Sequence, residues 1–310
     1  MPSLKELSTR EERLSRGHRL CPGCGASVIV RQVLLATEYP LVAASCTGCL
    51  EVATSIYPFT AWKIPWIHSA FENVAATLSG VETAYRHFKK LGKVSKNIKF
   101  VAFGGDGGTY DIGIQSLSGA LERRHNMLYI CYDNQAYMNT GIQRSSASPM
   151  GAHTTTSPPG RAVPLGKTEE RKDLTRIVVA HGVPYAAQAS PGFYNDLMKK
   201  VEKALNTEGP TFINVLSPCP RGWRYKPELS MEIAKLATLS GAWPLYEVEN
   251  GKYRVTYKPG KKRKPAQDWL KSQGRFRHLF REENKELLEK VEKAIEGKER
   301  ELFARAGEEI

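Results

Sequence analysis

Three short runs of β-branched and aromatic residues do most to limit the folds that this chain can adopt. They lie at residues 99–103, 127–132 and 211–216. Each run is apolar almost throughout and does not alternate with polar residues, which is typical of strands covered on both faces. Apolar stretches with helical periodicity, such as residues 26–36 and 74–91, precede them. The pattern predicts an α/β fold with a doubly wound, mostly parallel sheet.

Three regions along the chain differ in character. Residues 1–16 are polar and charged without a clear apolar face, which predicts an N-terminal arm lying over another part of the molecule. Residues 17–242 carry the predicted strands and are long enough to bury a full core as the main domain. Residues 243–310 contain a β-like patch followed by a charged helical stretch. We interpret this last region as a C-terminal extension used for packing or subunit docking.

Composition indicates the compartment and the kind of ligand. The sequence contains no apolar run of about 18 residues, and its first residues lack the apolar core of a secretory signal. We therefore expect a cytoplasmic protein that binds no membrane. Thiols stay reduced in that compartment, so the six cysteines favour metal binding over disulfides. The formal net charge of +13 includes five positive charges in residues 258–265, which we interpret as a solvated loop without an assigned function.

Glycines surround Asp106 directly after the first of the predicted strands. Gly105, Gly107 and Gly108 let the backbone approach phosphate oxygens closely, and the helix that follows offers the free N–H groups of its first turn. Asp106 supplies a carboxylate oxygen of the kind that Mg²⁺ prefers. Taken alone, such a cluster is a plain turn more often than a cofactor site.

A second oxygen-rich loop follows the next predicted strand. Its Asn134 lies 28 residues after Asp106, about the length of one strand–helix–strand unit. The carboxyl ends of neighbouring parallel strands meet at one edge of a sheet, so both loops are expected to face one ion. Mg²⁺ takes oxygen ligands with few protein carboxylates, and the Asn134 side chain and the Ala136 carbonyl group meet that demand. The two loops together predict a site for Mg²⁺ and a diphosphate.

Five of the six cysteines stand at metal-binding spacings: Cys21, Cys24, Cys46, Cys49 and Cys219. The first four form two Cys-x₂-Cys pairs near the spacing of a zinc ribbon, so a nucleic-acid-binding zinc protein is one alternative. Residues 26–45 weigh against it, because they read as an apolar helix and a strand, and no basic-aromatic pattern surrounds the cysteines. The other alternative is an iron–sulfur cluster, which a cysteine followed by proline, as at Cys219, commonly closes. The chain then offers five candidate cysteines for the four ligand positions of a cluster.

Four motifs of this chain recur together in one known family: residues 18–25, 47–51, 104–109 and 132–141. Through them the chain resembles the 2-oxoacid:ferredoxin oxidoreductase family, and in particular the β subunit of pyruvate:ferredoxin oxidoreductase, over residues 17–280. The thiamine-diphosphate motif within it covers residues 105–136. The resemblance implies a sheet of the thiamine-diphosphate-binding type, with residues 17–242 binding the cofactors.

The resemblance also implies three cofactors, namely thiamine diphosphate, Mg²⁺ and one [4Fe–4S] cluster. The residues implied for the first two are Gly105, Asp106, Gly107, Gly108, Asn134 and Ala136, of which Asp106, Asn134 and Ala136 hold Mg²⁺. The implied cluster ligands are Cys21, Cys24, Cys49 and Cys219. Cys46 and Cys131 are then core residues, and Asn139 lies beside the reacting carbon of the cofactor and the substrate.

The implied reaction is the oxidative decarboxylation of a 2-oxoacid to acyl-coenzyme A and CO₂, with electrons passing through the cluster to ferredoxin. Pyruvate is the expected substrate, and branched-chain 2-oxoacids, indolepyruvate and oxalate are alternatives. The chain is expected to be active only with α, γ and ferredoxin-like δ subunits, because in that family the α subunit supplies the glutamate that activates thiamine. Coenzyme A is the expected second substrate, the metabolism is anaerobic, and no nucleic-acid partner is expected.

Overall fold

The described part of the chain contains eight strands in one sheet. The structure is a computed structural model that describes residues 4–308, so the first three residues of the predicted arm lie outside it. The strands are β1 (Leu41–Cys46), β2 (Trp66–Ser69), β3 (Lys99–Gly105), β4 (Leu128–Asp133), β5 (Tyr185–Ala189), β6 (Thr211–Leu216), β7 (Leu245–Glu249) and β8 (Lys252–Tyr257). Their spatial order is β2-β1-β3-β4-β6-β5-β7-β8. The first six are parallel, and β7 and β8 add an antiparallel edge. The predicted mostly parallel sheet is confirmed.

Helices cover both faces of the sheet. They are α1 (Leu4–Thr9), α2 (Gly25–Leu35), α3 (Cys49–Thr54), α4 (Val74–Lys90), α5 (Ile114–Glu122), α6 (Leu174–Val179), α7 (Tyr194–Asn206), α8 (Pro220–Trp223), α9 (Ser230–Leu239), α10 (Ala266–Lys271) and α11 (Lys285–Arg305). One core lies between the sheet and α2 and α7, and a second lies between the sheet and α4, α5 and α6. The doubly wound arrangement is therefore confirmed.

The central strands are apolar throughout because they serve both cores. In β3, Val101 and Phe103 point into the core under α2, whereas Phe100 and Ala102 point into the core under α4. Every residue of β4 and of β6 is buried. The parallel register pairs Gly105 with Tyr132, so β3 and β4 end side by side at one edge of the sheet.

The N-terminal arm is part of the first core. Its side chains Leu7 and Leu14 are buried, with 8% and 2% of their surface exposed. Arg10 donates to the carbonyl oxygen of Leu35 and Arg13 to that of Tyr39, which fixes the arm near the end of α2. The prediction that this segment lacks an apolar face is wrong, because two leucines spaced seven residues apart sufficed to anchor it.

The region from residue 243 onward is joined to the same sheet. It supplies β7 and β8, and a third core links Trp223 and Trp243 with Trp269, Phe276 and Leu279. The packing role predicted for this extension agrees with these contacts, while its role in subunit docking stays a prediction. Within residues 4–308, no helix combines the length and the apolar character that crossing a bilayer requires.

Candidate active site

Three oxygen-bearing groups meet where β3 and β4 end: Asp106, Asn134 and Ala136, which we call the oxygen triad. The backbone N–H of Asn134 donates to Oδ1 of Asp106 at 3.3 Å. One terminal atom of the Asn134 amide lies 2.8 Å from Oδ1 of Asp106 and 2.7 Å from the carbonyl oxygen of Ala136. Both neighbouring oxygens are hydrogen-bond acceptors. The amide nitrogen therefore takes this position when Asn134 donates hydrogen bonds to them, and the amide oxygen takes it when the three residues bind one cation. The three residues therefore converge at one edge of the sheet, as the spacing led us to expect, and their role as cofactor ligands stays a prediction.

Asp106 is a buried carboxylate without a cationic side chain in contact. Only 1% of its surface is exposed, and no ion pair of Asp106 occurs within residues 4–308. Burial and, next, the charge of Asp133 raise its pKa well above the usual value. The Ser145 hydroxyl donates to Oδ2 and fixes the carboxyl group. A lone buried carboxylate beside an amide and a carbonyl oxygen is a donor set that fits a Mg²⁺ ion.

The neighbouring carboxylate, Asp133, has its own partners. Arg171 donates to Oδ2 of Asp133 at 2.5 Å, and the hydroxyl of Tyr110 donates to the same oxygen at 2.7 Å. Burial raises the pKa of Asp133, and the Arg171 charge opposes that shift. Sequence analysis did not identify this buried ion pair. Residue spacing gives no signal for it, since Arg171 arrives from a distant loop.

The glycines around Asp106 are required by close packing. A Cβ atom on Gly107 would lie 2.2 Å from the ring of Tyr137, and one on Gly108 would lie 2.8 Å from the carbonyl oxygen of Phe71. Residues Gly107–Asp111 form a π-helical turn, and the regular helix α5 begins only at Ile114. The sequence predicted an ordinary helix directly after Asp106. A π-helical turn in its place is frequent at functional sites.

The long segment between β4 and α6 packs against this site without forming a helix or strand among its described residues. Ser145 of this segment donates to Asp106. The backbone N–H of the next residue, Ser146, donates to Oδ2 of Asp111 at 3.1 Å. The ammonium group of Lys172 donates to the carbonyl oxygen of Tyr110. These bonds attach the segment to the π-helical turn at two points. The loop is therefore a structural support of the oxygen triad.

Four cysteines, which we call the outer cysteines, lie near the starts of three helices: Cys21, Cys24, Cys49 and Cys219. Cys24 caps α2, Cys49 is the first residue of α3, and Cys219 caps α8. Cys21 is exposed in the turn before α2, and the other three are partly buried. The backbone N–H of Gly222 donates to Sγ of Cys219 at 3.4 Å. The four cysteines thus come from three distant segments of the sequence.

The outer cysteines influence one another electrostatically. Burial raises the pKa of Cys49 to about 12, with further contributions from Cys219, Cys24 and Cys21. Burial raises the pKa of Cys24 to about 11, and Cys219 and Cys21 add to the shift. Among residues 4–308, no three His, Cys, Asp or Glu side chains stand close enough together to hold a single metal ion. An iron–sulfur cluster attaches its thiolates to separate iron atoms, so it fits a wider set of thiols than one zinc ion does.

The two remaining cysteines are fully buried. Cys46 is 1% exposed and Cys131 is 0% exposed, which confirms their prediction as core residues. Cys46 belongs to the core under α4, whereas Cys24 packs against the core on the opposite face of the sheet. Burial raises the pKa of Cys46 to about 11, and the charged groups that add to this shift are Asp106 and Glu51 rather than the outer cysteines.

Trp223 and Arg275 connect the outer cysteines with the oxygen triad. The indole N–H of Trp223, in the helix that Cys219 caps, donates to the carbonyl oxygen of Asn134 at 2.8 Å. Arg275 stacks on the Trp223 ring and donates to Oε1 of Gln135 at 2.5 Å. Sequence analysis missed both residues. The one feature of the sequence that could have indicated these contacts is the pair of aromatic residues that follows Cys219, Trp223 and Tyr225.

Asn139 lies at the tip of a turn that Tyr137 and Gln143 close by a backbone bridge. Its side chain is exposed. A role for Asn139 as a plain turn residue is consistent with this position, and its side chain is accessible to other molecules. Its predicted place beside a substrate stays a prediction.

Comparison with known proteins identifies the family. Residues 46–215, more than half of the chain, match the family described as thiamine pyrophosphate enzyme, C-terminal TPP binding domain. The chain is 53% identical to pyruvate synthase subunit PorB of Methanocaldococcus jannaschii, covering 93% of this chain and 96% of that protein. It is also 53% identical to PorB of Thermotoga maritima, with 94% and 91% covered. Ketoisovalerate oxidoreductase subunit VorB of Pyrococcus furiosus is 44% identical over 88% of both chains.

A solved structure supports the fold. A chain of 2-oxoglutarate:ferredoxin oxidoreductase from Magnetococcus marinus superposes with a TM-score of 0.54 at 22% identity, covering 72% of this chain and 79% of that one. The thiamine-diphosphate type of sheet and the family resemblance are both confirmed. This chain belongs to the thiamine pyrophosphate enzyme family and, within it, to the 2-oxoacid:ferredoxin oxidoreductase subunits that include PorB of pyruvate synthase.

Proposed function

We propose that this chain is the thiamine-diphosphate-binding subunit of an enzyme that oxidatively decarboxylates pyruvate to acetyl-coenzyme A and CO₂ and passes the electrons to ferredoxin. The observation that carries the proposal is the oxygen triad at the ends of β3 and β4, within the region that matches the thiamine pyrophosphate family. The relatives at 53% identity are subunits of pyruvate synthase, which favours pyruvate. The VorB relative makes a branched-chain 2-oxoacid the second candidate.

The oxygen triad would hold Mg²⁺, and the glycines beside Asp106 would face the diphosphate. Asp106 brings one negative charge to the ion, and Ser145 keeps its carboxyl group in one orientation. The Asn134 amide and the Ala136 carbonyl group add neutral oxygens, which leaves coordination positions for phosphate and water. When bound, thiamine diphosphate supplies the nucleophilic carbon and electron sink for decarboxylation, and an iron–sulfur cluster supplies one-electron transfer. Asn139 would donate to the substrate oxygen on which negative charge develops.

The outer cysteines would hold one [4Fe–4S] cluster. They number four, they act on one another electrostatically, and backbone N–H groups at helix starts point towards the sulfur of Cys24 and Cys219. Such N–H groups stabilise thiolate charge, which a cluster requires. We leave Cys46 out of this set because it is buried in the core on the face of the sheet opposite to Cys24. A cytoplasmic, anaerobic setting would keep the cluster intact.

A partner subunit would complete the site. Tyr57, Phe59 and Phe71 are 93%, 77% and 50% exposed, and the Phe71 carbonyl oxygen lies beside Gly108. Large exposed aromatic side chains are typical of protein interfaces. We propose that an α subunit covers this surface and supplies the activating glutamate, and that γ and ferredoxin-like δ subunits complete the complex. Coenzyme A and ferredoxin would reach the site through these partner subunits.

The experiment is an activity assay of the complex reconstituted with its partner subunits. Pyruvate, 2-oxoisovalerate, indolepyruvate and oxalate are each supplied with coenzyme A, and viologen reduction is followed under anaerobic conditions. We expect the highest kcat/KM with pyruvate, and no reduction when thiamine diphosphate or Mg²⁺ is omitted. A preference for 2-oxoisovalerate would support the second candidate. Absence of viologen reduction with every 2-oxoacid, in a complex loaded with all cofactors, would refute the proposal.

A further inference from the structure

Arg275 is a buried arginine without a carboxylate partner. It lies in the short helical segment Gly274–Phe280, and 2% of its surface is exposed. Within residues 4–308 no carboxylate lies within ion-pair distance of its guanidinium group, although the partly buried Arg171 pairs with Asp133 and the buried Lys200 pairs with Asp196. Leaving a guanidinium charge buried and unpaired is costly, so a negative group close by would stabilise it.

The surroundings of Arg275 hold the guanidinium in one place. Its central carbon lies 4.1 Å from the centre of the Trp223 ring and 4.9 Å from that of Phe276. Nε donates to Oε1 of Gln273 at 2.9 Å, and Nη2 donates to Oε1 of Gln135. Aromatic faces and neutral amides orient a cation but do not neutralise it. The charge therefore remains to act on whatever lies next to it.

Lys167 provides an informative contrast. It too is 2% exposed, and it has no carboxylate partner in the described part of the chain; its ammonium group donates to the carbonyl oxygens of Glu169 and Glu170. A lysine in that situation can lose its proton, and burial lowers the pKa of Lys167 to about 8. Arginine does not have this option at neutral pH, because burial lowers the pKa of Arg275 only to about 9. A permanent positive charge is thus fixed inside the protein.

Arg275 packs against the helix that carries one of the outer cysteines, Cys219. The two are linked through α8, since Cys219 caps this helix and Trp223, on which Arg275 stacks, ends it. Only the Trp223 ring therefore separates the Arg275 guanidinium from the helix that begins at Cys219.

We propose that Arg275 is the buried counter-charge of the cluster on the outer cysteines and raises its reduction potential. This inference rests on the proposed function, which supplies the cluster. A cluster held by four thiolates is negative and becomes more so when it accepts an electron. A fixed positive charge in a poorly screened site favours that extra electron, so its removal makes reduction harder. Arg275 is thus a positioning and tuning residue that does not need to touch the reacting atoms.

The test measures the reduction potential of the full-length chain, purified anaerobically and loaded with iron and sulfide, by a redox titration followed through the electron paramagnetic resonance of the reduced cluster. Arg275→Gln should decrease the equilibrium constant of one-electron reduction at least tenfold, which is a shift of about 59 mV to more negative potential. Arg275→Lys, measured at pH 6 where a buried ammonium group keeps its proton, should stay within about threefold of the parent. Arg277→Gln, the same change at an exposed arginine of the same segment, should have no effect.

The outcomes separate the inference from the proposed function. If the parent chain binds no iron, the proposed function fails. If Arg275→Gln binds as much iron as the parent and has the same potential, only the role of Arg275 is overturned. If Arg275→Gln does not fold, Gln273→Glu decides, because it places a carboxylate against the guanidinium and should also lower the potential. An unchanged potential in a folded, iron-loaded Gln273→Glu chain would equally overturn the inference.

Discussion

The oxygen triad and the outer cysteines are two regions built in different ways. The triad comes from residues 106–136 and depends on two adjacent parallel strands that end together. The outer cysteines come from residues 21–219 and depend on the starts of three helices on separate segments. A site at neighbouring strand ends can be predicted from spacing, because the sheet itself aligns the ends. A site made by helix starts depends on how whole helices pack, which spacing does not encode.

The two regions also differ in the charge that each leaves unpaired. Within residues 4–308, Asp106 is a buried carboxyl group without a cationic side chain in contact, whereas Arg275 is a buried cation without a carboxylate within ion-pair distance. Both would be costly in an isolated chain. A bound Mg²⁺ ion would neutralise the first, and an anionic cluster would neutralise the second. Under the proposed function, cofactors of opposite charge would therefore occupy the two regions.

The largest effect is expected at the oxygen triad. Asp106→Ala removes its only carboxylate, so Mg²⁺-dependent binding of thiamine diphosphate should weaken more than about 100-fold while the iron content stays unchanged. Binding is measured by calorimetry on the reconstituted complex, and iron by elemental analysis. Asp268→Ala, at an exposed aspartate, is the matched control. Equal cofactor binding in the Asp106 variant and the parent would contradict the assignment, and loss of iron as well would show that the two regions are not separable.

A second effect tests which cysteines belong to the outer set. Cys49→Ser should lose or convert the cluster and stop electron transfer to ferredoxin, because a serine oxygen is a poor ligand for iron in such a site. Cys46→Ser should keep the iron and cost only about 1–3 kcal/mol of unfolding free energy, as expected for a polar group placed in a core. Iron content, visible absorption and urea unfolding are compared. The assignment is wrong if Cys46→Ser loses iron and Cys49→Ser retains it.

Sequence analysis was most successful where local pattern determines structure. The three predicted apolar runs form β3, β4 and β6. The meeting of the oxygen triad could be predicted because β3 and β4 follow one another in the sequence. The cysteine assignment required the family resemblance, since spacing left Cys46 and Cys49 equivalent. Arg275 was not predicted, because an arginine in a strongly charged segment reads as a solvated surface residue. Only the packing of Trp223, Trp269 and Phe276 around it makes it a buried one.

The smallest expected effect concerns the contact that joins the two regions. Trp223 follows Cys219 closely in the chain, and its indole N–H donates to the carbonyl oxygen of Asn134. Through this bond, the helix that carries an outer cysteine helps to orient the loop of the oxygen triad. Trp243 is a matched comparison for this bond, because it is equally buried and donates at the same distance of 2.8 Å to the carbonyl oxygen of Ala189, away from that loop. Its ring also packs against Arg171, a contact that replacement by phenylalanine retains.

Trp223→Phe keeps an aromatic ring but removes the donor, which leaves the carbonyl group of Asn134 without this partner. We expect a loss of about 1 kcal/mol in the binding of Mg²⁺ and thiamine diphosphate, roughly fivefold in Kd. Trp243→Phe should lower the unfolding free energy to a similar extent and leave Kd unchanged, because its bond supports a strand that does not contact the triad. Calorimetric titration of both variants, with urea unfolding alongside, separates the two effects. Equal Kd values in both would mean that the triad is held by its own strands, and that the outer cysteines and the cofactor loop are neighbours without being coupled.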